Sequence, residues 1–228
     1  MKPKAIVITN GFLDVTDAKT AHGLIRGTDR FTIAAVIDPV HAGKDAGEVL
    51  DGKHRSIPVF ATATEVMDAI SDIQYCIIGV ATHGGVLPPE FISIIEECIQ
   101  HRISIVNGLH ECLTEHANIV ALAKQYDVEL IDIRRPKKRS ELHFWHGDIN
   151  KVDVPVIAVL GMDCAMGKRT TCRMVMQACA AENIKAEMIY TGQTGWLQGG
   201  EYGFIFDTTL NDFISGEIEH AVVTCWKE

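Results

Sequence analysis

Six short apolar runs recur along the first 133 residues, and each has about the length of a β-strand. The runs are continuous rather than alternating, which is typical of strands buried on both faces of a parallel sheet. The predicted strands are Ala5–Thr9, Phe31–Ile37, Pro58–Ala61, Tyr75–Thr82, Ile103–Asn107 and Val128–Ile133.

Helical patterns lie between these runs. After Pro88-Pro89, apolar residues recur at the i, i+3, i+4, i+7 spacing of one helix face. Those residues are Phe91, Ile94, Ile95 and Cys98. A second helix is predicted to begin near Glu111, with inward-facing residues Leu113, Ala117, Val120 and Ala121. Thr62 or Thr64 is predicted to cap a third helix over residues 65–70. Strands that alternate with helices predict an α/β fold with a mainly parallel, doubly wound sheet.

The alternation stops at about residue 134, and a polar, basic segment follows. We interpret residues 135–154 as a linker between a first domain, residues 1–134, and a second domain, residues 155–228. His143 and His146 stand three residues apart in the linker, but a third ligand is not found nearby and we expect no metal site. The second domain is predicted to open with a strand at Val156–Leu160.

A glycine-bounded turn follows this strand directly and runs into a helical pattern. It reads Gly161, Met162, Asp163, Cys164, Ala165, Met166, Gly167, Lys168, Arg169, Thr170 and Thr171. In such a P-loop, backbone N–H groups of the turn and of the helix N-terminus converge on a phosphate. Gly167 allows close approach, Lys168 supplies a positive charge, and Thr170 or Thr171 offers a hydroxyl to phosphate or magnesium.

The turn departs from the common G-x-x-x-x-G-K-[ST] spacing at two points. Five residues, not four, separate Gly161 from Gly167, and Arg169 stands where the magnesium-binding Ser or Thr is expected. The five-residue spacing with Asp163 third resembles the turn of dethiobiotin synthetase and its relatives. The motif therefore predicts a phosphate site more firmly than magnesium binding. Cys164 lies within the turn and has two interpretations. Its thiol acts as a nucleophile, or the cysteine is a small residue that the turn tolerates.

The composition limits the classes of partner and the compartment that we expect for the protein. The net charge is −9, which does not favour nucleic acid as a partner, and the one basic run, residues 134–139, is interpreted as a solvated linker. Apolar stretches do not approach the roughly 20 residues of a membrane span. Seven cysteines without a Cys-x-x-Cys pair indicate a reducing cytoplasm. We expect a cytoplasmic protein that binds small molecules, with homo-oligomers left open.

The P-loop variant, followed by Tyr190-Thr191-Gly192-Gln193-Thr194-Gly195, resembles a bacterial and archaeal family that includes D-glutamate N-acetyltransferases. The segment beginning Lys19-Thr20-Ala21-His22-Gly23-Leu24 resembles the family's Lys-Thr-Ala-x-Gly-Leu segment. The match extends from about residue 5 to about residue 220. The resemblance implies a Rossmann-like N-terminal domain and a P-loop NTPase-like α/β domain. It also implies that the P-loop holds a phosphate of acetyl-CoA.

One departure from the family concerns length. No strand ending in Asp or Glu is found after the P-loop, although P-loop folds carry an acidic residue at such a position. Asp207 lies in what reads as a loop, and the segment from Ala221 to Glu228 reads as the start of an interrupted element. We therefore expect a C-terminally truncated member with an incomplete P-loop domain.

Polar residues at the ends of the predicted strands are the remaining candidates, because ligands of doubly wound sheets bind there. They include Asp38, which could bind a ribose hydroxyl, but G-x-G-x-x-G is absent after the first strand and we predict no nicotinamide site. His83 is the candidate catalytic base and Asn107 a candidate substrate ligand. With D-glutamate as substrate, Lys19 and Arg26 could bind its carboxylates. Thr191 and Gln193 would stand beside the phosphate.

Three functions remain open from the sequence. The first is an N-acetyltransferase that uses acetyl-CoA and an amino acid such as D-glutamate. The second is an ATP-dependent kinase or ligase resembling dethiobiotin synthetase, with magnesium open. The third is an inactive, truncated protein that binds phosphate ligands.

Overall fold

The structure, a computed structural model, describes residues 2–162 and 166–228. The chain forms two compact units. The first extends to Arg135 and includes Leu197–Gly199, and the second comprises Pro136–Trp196 and Gly200–Glu228.

The first unit contains a six-stranded sheet in which every pairing is parallel. Its strands are β1 Lys4–Ile8, β2 Thr32–Ile37, β3 Val59–Phe60, β4 Ile73–Ile78, β5 Ser104–Asn107 and β6 Leu130–Asp132. The order β3-β2-β1-β4-β5-β6 is that of a Rossmann fold, with the reversal of strand order between β1 and β4. The six strands predicted from the apolar runs and the α/β class are confirmed.

Five helices connect the strands. They are α1 Lys19–Arg26, α2 Ala46–Asp51, α3 Ala63–Ala69, α4 Glu90–Gln100 and α5 Ala117–Tyr126. The helix predicted after Pro88-Pro89 is confirmed as α4, whose Phe91, Ile95 and Ile99 belong to the core. Thr62 is the cap of α3, because its hydroxyl accepts a hydrogen bond from the backbone N–H of Glu65 at 3.2 Å.

The prediction for α5 was wrong in its start and in part of its face. Leu113–Glu115 forms a separate 3₁₀ turn, because Asp132 at the end of β6 accepts the backbone N–H groups of Leu113 and Thr114. The helix begins only at Ala117, and it buries Ile119 and Ala123. Leu113 is buried as predicted, but Ala117 and Ala121 are exposed.

Close packing of α1 on the sheet depends on Gly79, which follows β4. A Cβ at this position would lie 2.5 Å from Val7 Cγ1 and 2.9 Å from Ala21 Cβ. The backbone N–H of Ala21 donates to the carbonyl of Gly79 at 2.9 Å. The absence of a side chain thus lets the helix approach the strand end closely enough for this hydrogen bond.

The second unit contains α6 Lys168–Ala181, α7 Gln193–Leu197 (whose last residue counts with the first unit) and α8 Ile214–Lys227.

The strand predicted at Val156–Leu160 is not formed: the segment has no regular secondary structure, and Ile157 and Leu160 are 77% and 85% exposed. A strand needs a hydrogen-bonded neighbour. Among the described residues of this unit, the pairing present is a single bridge between Tyr190 and Gly203. Tyr190, directly before Thr191, therefore forms a bridge and not a strand.

The last described residues are helical. The stretch from Ala221 onwards is the second half of α8, and it buries Ala221, Val222 and Val223. The interruption expected at this point of the chain stays a prediction.

The segment predicted as a linker is held on α8 by two buried carboxylates. Glu217 accepts hydrogen bonds from Lys137 Nζ at 2.8 Å and from the backbone N–H and Nδ1 of His143 at 2.9 and 2.8 Å. Glu219 accepts the backbone N–H groups of His146 and Ile149 at 2.6 and 3.1 Å. His143 also stacks on His220, with ring centroids 3.5 Å apart. These contacts make the side chain of His143 and the backbone of His146 part of the packing of this unit.

Candidate functional site

The helical end of the predicted P-loop turn is a glycine followed directly by a helix. Gly167 adopts a left-handed conformation, with φ 84°, and α6 begins at the next residue. The backbone N–H of Thr171 donates to the carbonyl of Gly167 at 2.8 Å, which starts the regular helical hydrogen bonding. A residue with a side chain is strained at such a φ, so glycine is favoured here by backbone conformation.

Lys168 folds back over the first glycine of the turn. A Cβ on Gly161 would lie 3.1 Å from Lys168 Cδ and 3.6 Å from its Nζ. Glycine at position 161 therefore leaves room for the lysine stem, and the ammonium group lies beside Gly161. In a P-loop, the lysine of the motif contacts phosphate oxygens.

The start of α6 is strongly positive. Lys168 and Arg169 occupy the first turn, Arg173 follows one turn later, and the first turn contains no acidic residue. The partial positive charge of the helix N-terminus adds to these side chains. The Thr171 hydroxyl donates to the Gly167 carbonyl at 3.2 Å, and Thr170 is exposed. The arrangement favours an anion at this point of the chain.

Some predicted phosphate-binding residues cannot be placed. Asp163, Cys164 and Ala165 lie outside the described residues, and Met162 and Met166 on either side of them are exposed. Of the other predicted members, those from Gly167 to Thr171 occupy one short segment at the start of α6. Gly161 lies beside Lys168, and Gln193 begins α7.

The segment from Tyr190 to Gly195, which carries part of the family resemblance, has a packing role that the sequence did not reveal. Tyr190 lies against three glycines, at which an added Cβ would come within 2.3 Å (Gly195), 2.7 Å (Gly200) and 2.1 Å (Gly203) of a Tyr190 atom. Gln193, which begins α7, is buried. The spacing of glycines after Tyr190 was the available signal for this packing.

In the first unit, His83 lies in the loop after β4 and Asn107 ends the neighbouring β5, and the loops after these two strands touch. The Gly85 carbonyl accepts the backbone N–H groups of His110 and Glu111, both at 3.0 Å. His83 is exposed in a 3₁₀ turn, so its ring is accessible. Asn107 is fully buried, and its amide donates to Asp132 at 2.8 Å and to the Glu111 carbonyl at 2.7 Å. These hydrogen bonds explain the burial of Asn107, because they hold its side chain to Asp132 at the end of β6 and to the loop after β5.

Lys19 and Arg26 stand at opposite ends of α1, roughly 10 Å apart along the axis at 1.5 Å per residue. Lys19 is exposed at the end of the helix that lies beside the end of β4, where the Asp17 carbonyl accepts the backbone N–H of Ala81. Arg26 lies 3.7 Å from Asp51 of α2. The structure does not bring the two cations to one point.

Asp38, directly after β2, is fully buried, and its two oxygens are surrounded by donors. One oxygen accepts the Thr9 hydroxyl at 2.7 Å and the backbone N–H groups of Gly11 and Leu13 at 2.8 and 3.1 Å. The other accepts the backbone N–H groups of Val40 and His41 at 3.1 and 3.2 Å and His41 Nδ1 at 3.0 Å. A ribose hydroxyl has no access to this carboxylate, so the ribose role considered for Asp38 is wrong. The carboxylate instead fastens the loop after β1.

Two carboxylates of this unit have pKa values below the usual range. Burial alone would raise the pKa of Asp38, but hydrogen bonds from Thr9, His41, Gly11 and Leu13 outweigh it and the pKa is lowered. Burial also opposes the lowering of the pKa of Asp45, the cap of α2, which accepts backbone N–H groups from Arg55, Ile57, Glu48 and Gly47. Both side chains therefore stay ionised at neutral pH.

A loss of stability in acid follows from these shifts. A carboxylate with a lower pKa in the folded chain stabilises it above the unfolded pKa, near 3.8, and loses that contribution as the pH falls through the folded pKa. We expect the urea midpoint of the first unit to fall steeply below about pH 4. Asp45→Asn, which cannot be protonated, should show a smaller fall over the same range. An equal acid dependence in both proteins would contradict this assignment.

None of the helices in the described ranges is long and apolar enough to cross a membrane.

Two domain models of one family match the chain. A Rossmann-like domain of unknown function (DUF1611_N) matches residues 39–136, and a P-loop domain of unknown function (DUF1611_C) matches residues 143–228. A crystal structure of a DUF1611 family protein from Anabaena variabilis is similar over all of this chain and 64% of that one, with a TM-score of 0.89 and 26% identity.

Two curated relatives are named D-glutamate N-acetyltransferase. The protein from Pseudoalteromonas sp is 35% identical over 143 residues, and that from Tritonibacter scottomollicae is 29% identical over 144 residues. Each match covers 63% of this chain and 42% of the relative, so the chain spans less than half the length of these relatives. The two domain models together cover most of the sequence, and the chain belongs to the DUF1611 family.

Proposed function

We propose that the chain acts in the transfer of an acetyl group from acetyl-CoA to the amino group of D-glutamate or a similar amino acid. The observation that carries the proposal is the start of α6, where Lys168 lies over Gly161 and Arg169 takes the place of the usual magnesium-binding hydroxyl. Such a site suits a phosphate that is held and not cleaved. The names of the two curated relatives support the choice of reaction and of substrate.

In this reaction the amine nitrogen attacks the carbonyl carbon of the thioester. The C–N bond forms, the C–S bond breaks, and coenzyme A leaves as a thiol with the proton that the amine gives up. Gly167, Lys168, Arg169 and the hydroxyls of Thr170 and Thr171 are assigned to a phosphate group of coenzyme A. His83, exposed at the end of β4, and the cations Lys19 and Arg26 remain candidates for the base and for substrate carboxylates.

The test is an assay with acetyl-CoA and D-glutamate in which N-acetylglutamate is measured by mass spectrometry. We expect product and free thiol in equal amounts, without added ATP or magnesium. L-glutamate in a parallel reaction measures the preference for one enantiomer. Magnesium-dependent production of ADP from ATP, with no acetylated product, would favour the kinase or ligase suggested by the five-residue spacing.

A further inference from the structure

A buried histidine in the first unit is oriented by a carboxylate. His41 follows β2 by four residues and is only 6% exposed. Its Nδ1 lies 3.0 Å from Asp38, and its backbone N–H bonds to the same oxygen at 3.2 Å. Because Asp38 also accepts hydrogen bonds from the loop after β1, the carboxylate is held rigidly and fixes the imidazole with it.

The protonation state of Asp38 decides which ring nitrogen of His41 is free. An ionised carboxylate only accepts hydrogen bonds, so Nδ1 of the neutral ring carries the proton. The lone pair of the neutral imidazole is then on Nε2. The facing group is Asp14, whose Oδ2 lies 3.6 Å from Nε2, beyond hydrogen-bond distance.

His41 lines an open depression of about 320 Å³ together with Asp14, Lys44, Glu48 and Val49. The side chains of Asp14, Lys44 and Glu48 are exposed there, so the wall carries two negative charges and one positive charge. The zwitterionic end of an amino acid, with one ammonium group and one carboxylate, can pair with groups of both signs on this wall. Its ammonium group suits Asp14 or Glu48, and a carboxylate suits Lys44.

We propose that this depression binds the amino-acid substrate and that His41, oriented by Asp38, is the base that accepts a proton from its ammonium group. The proposal rests on the proposed function. It assigns the proton transfer of that reaction to His41, a residue that the sequence did not single out. The proton moves from the substrate nitrogen to His41 Nε2, which leaves a neutral amine and an imidazolium. The imidazolium, which lies between Asp38 and Asp14, releases this proton to solvent. The second proton, which the nitrogen loses once the C–N bond has formed, leaves with coenzyme A as its thiol.

His41→Asn separates catalysis from folding. The asparagine amide can donate to Asp38 in place of Nδ1, but it offers no basic nitrogen at the position of Nε2. We expect the rate of acetyl transfer to fall by roughly 100-fold or more, with an unchanged urea midpoint. His101→Asn, at the exposed end of α4, removes a histidine elsewhere and should leave the rate unchanged. Acetyl transfer by His41→Asn at the wild-type rate would overturn the assignment while leaving the proposed function intact.

A second measurement does not depend on turnover. In ¹⁵N NMR spectra of the imidazoles, we expect neutral His41 as the Nδ1–H tautomer and a shift of its Nε2 signal when D-glutamate is added alone. If the wild type transfers no acetyl group but shows this shift, the proposed function fails and the amino-acid site stands. If D-glutamate leaves the Nε2 signal unmoved, the site is refuted whether or not the protein acetylates.

Discussion

Lys168→Ala is expected to weaken binding of acetyl-CoA by about 10- to 100-fold, because the charged hydrogen bond to a phosphate is lost. Lys168 folds back over Gly161 and is thereby held near the turn before a ligand arrives. The lysine stem contributes little to packing, since α6 buries none of its described residues. The free energy of unfolding should therefore change little. Equilibrium dialysis with labelled acetyl-CoA measures the change in affinity.

Lys185→Ala is the matched control, because Lys185 is an exposed lysine of the same unit outside the turn. Its affinity for acetyl-CoA should equal that of the wild type. Equal losses in the two variants would assign the effect to general charge, and an unchanged affinity in Lys168→Ala would refute the phosphate site itself.

Asp38→Ala is expected to lower the free energy of unfolding of the first unit by roughly 3–5 kcal/mol. The substitution removes the acceptor of four backbone N–H groups, of the Thr9 hydroxyl and of His41 Nδ1. These donors lie in the loops after β1 and β2, and several are closed off from water. Urea denaturation followed by circular dichroism measures the loss.

Asp68→Ala provides the comparison for this stability measurement. Asp68 is exposed on α3, and its replacement should change the free energy of unfolding by no more than about 0.5 kcal/mol. A loss in Asp38→Ala no larger than in Asp68→Ala would mean that the carboxylate does not hold the two loops.

The sheet of the first unit could be predicted because its signal is local. Continuous apolar runs give strands such as β1 and β4, and the helical spacing of Phe91 and Ile95 gives α4. The start of α5 could not be predicted in this way. It is set by Asp132, which lies later in the chain and accepts hydrogen bonds from the backbone N–H groups of Leu113 and Thr114.

The strand predicted before the P-loop is a case in which the local sequence pattern was misleading. Val156–Leu160 has the composition of a buried strand, but composition does not supply a neighbouring strand. In the described part of the second unit this segment is irregular and exposed. The turn itself was recognisable, because Gly161, Gly167 and Lys168 carry the motif at fixed spacing. In the structure, Lys168 lies beside Gly161.

The pair of Asp38 and His41 was not recognised from the sequence as a unit. The available signal was an aspartate directly after a strand with a histidine three residues later, a pattern that most often belongs to a turn. Its chemical interest comes from contacts distant in sequence, since Thr9, Gly11 and Leu13 determine that the carboxylate is buried and ionised. Such contacts are known only once β1 and β2 are neighbours.

Calorimetric titration of the protein with acetyl-CoA and with ATP, each with and without magnesium, tests the central claim most directly. If the turn from Gly161 to Thr171 serves to hold a coenzyme A phosphate, acetyl-CoA binds with the same affinity in either condition, and more tightly than ATP. Tight, magnesium-dependent binding of ATP, with no heat from acetyl-CoA, would contradict the account.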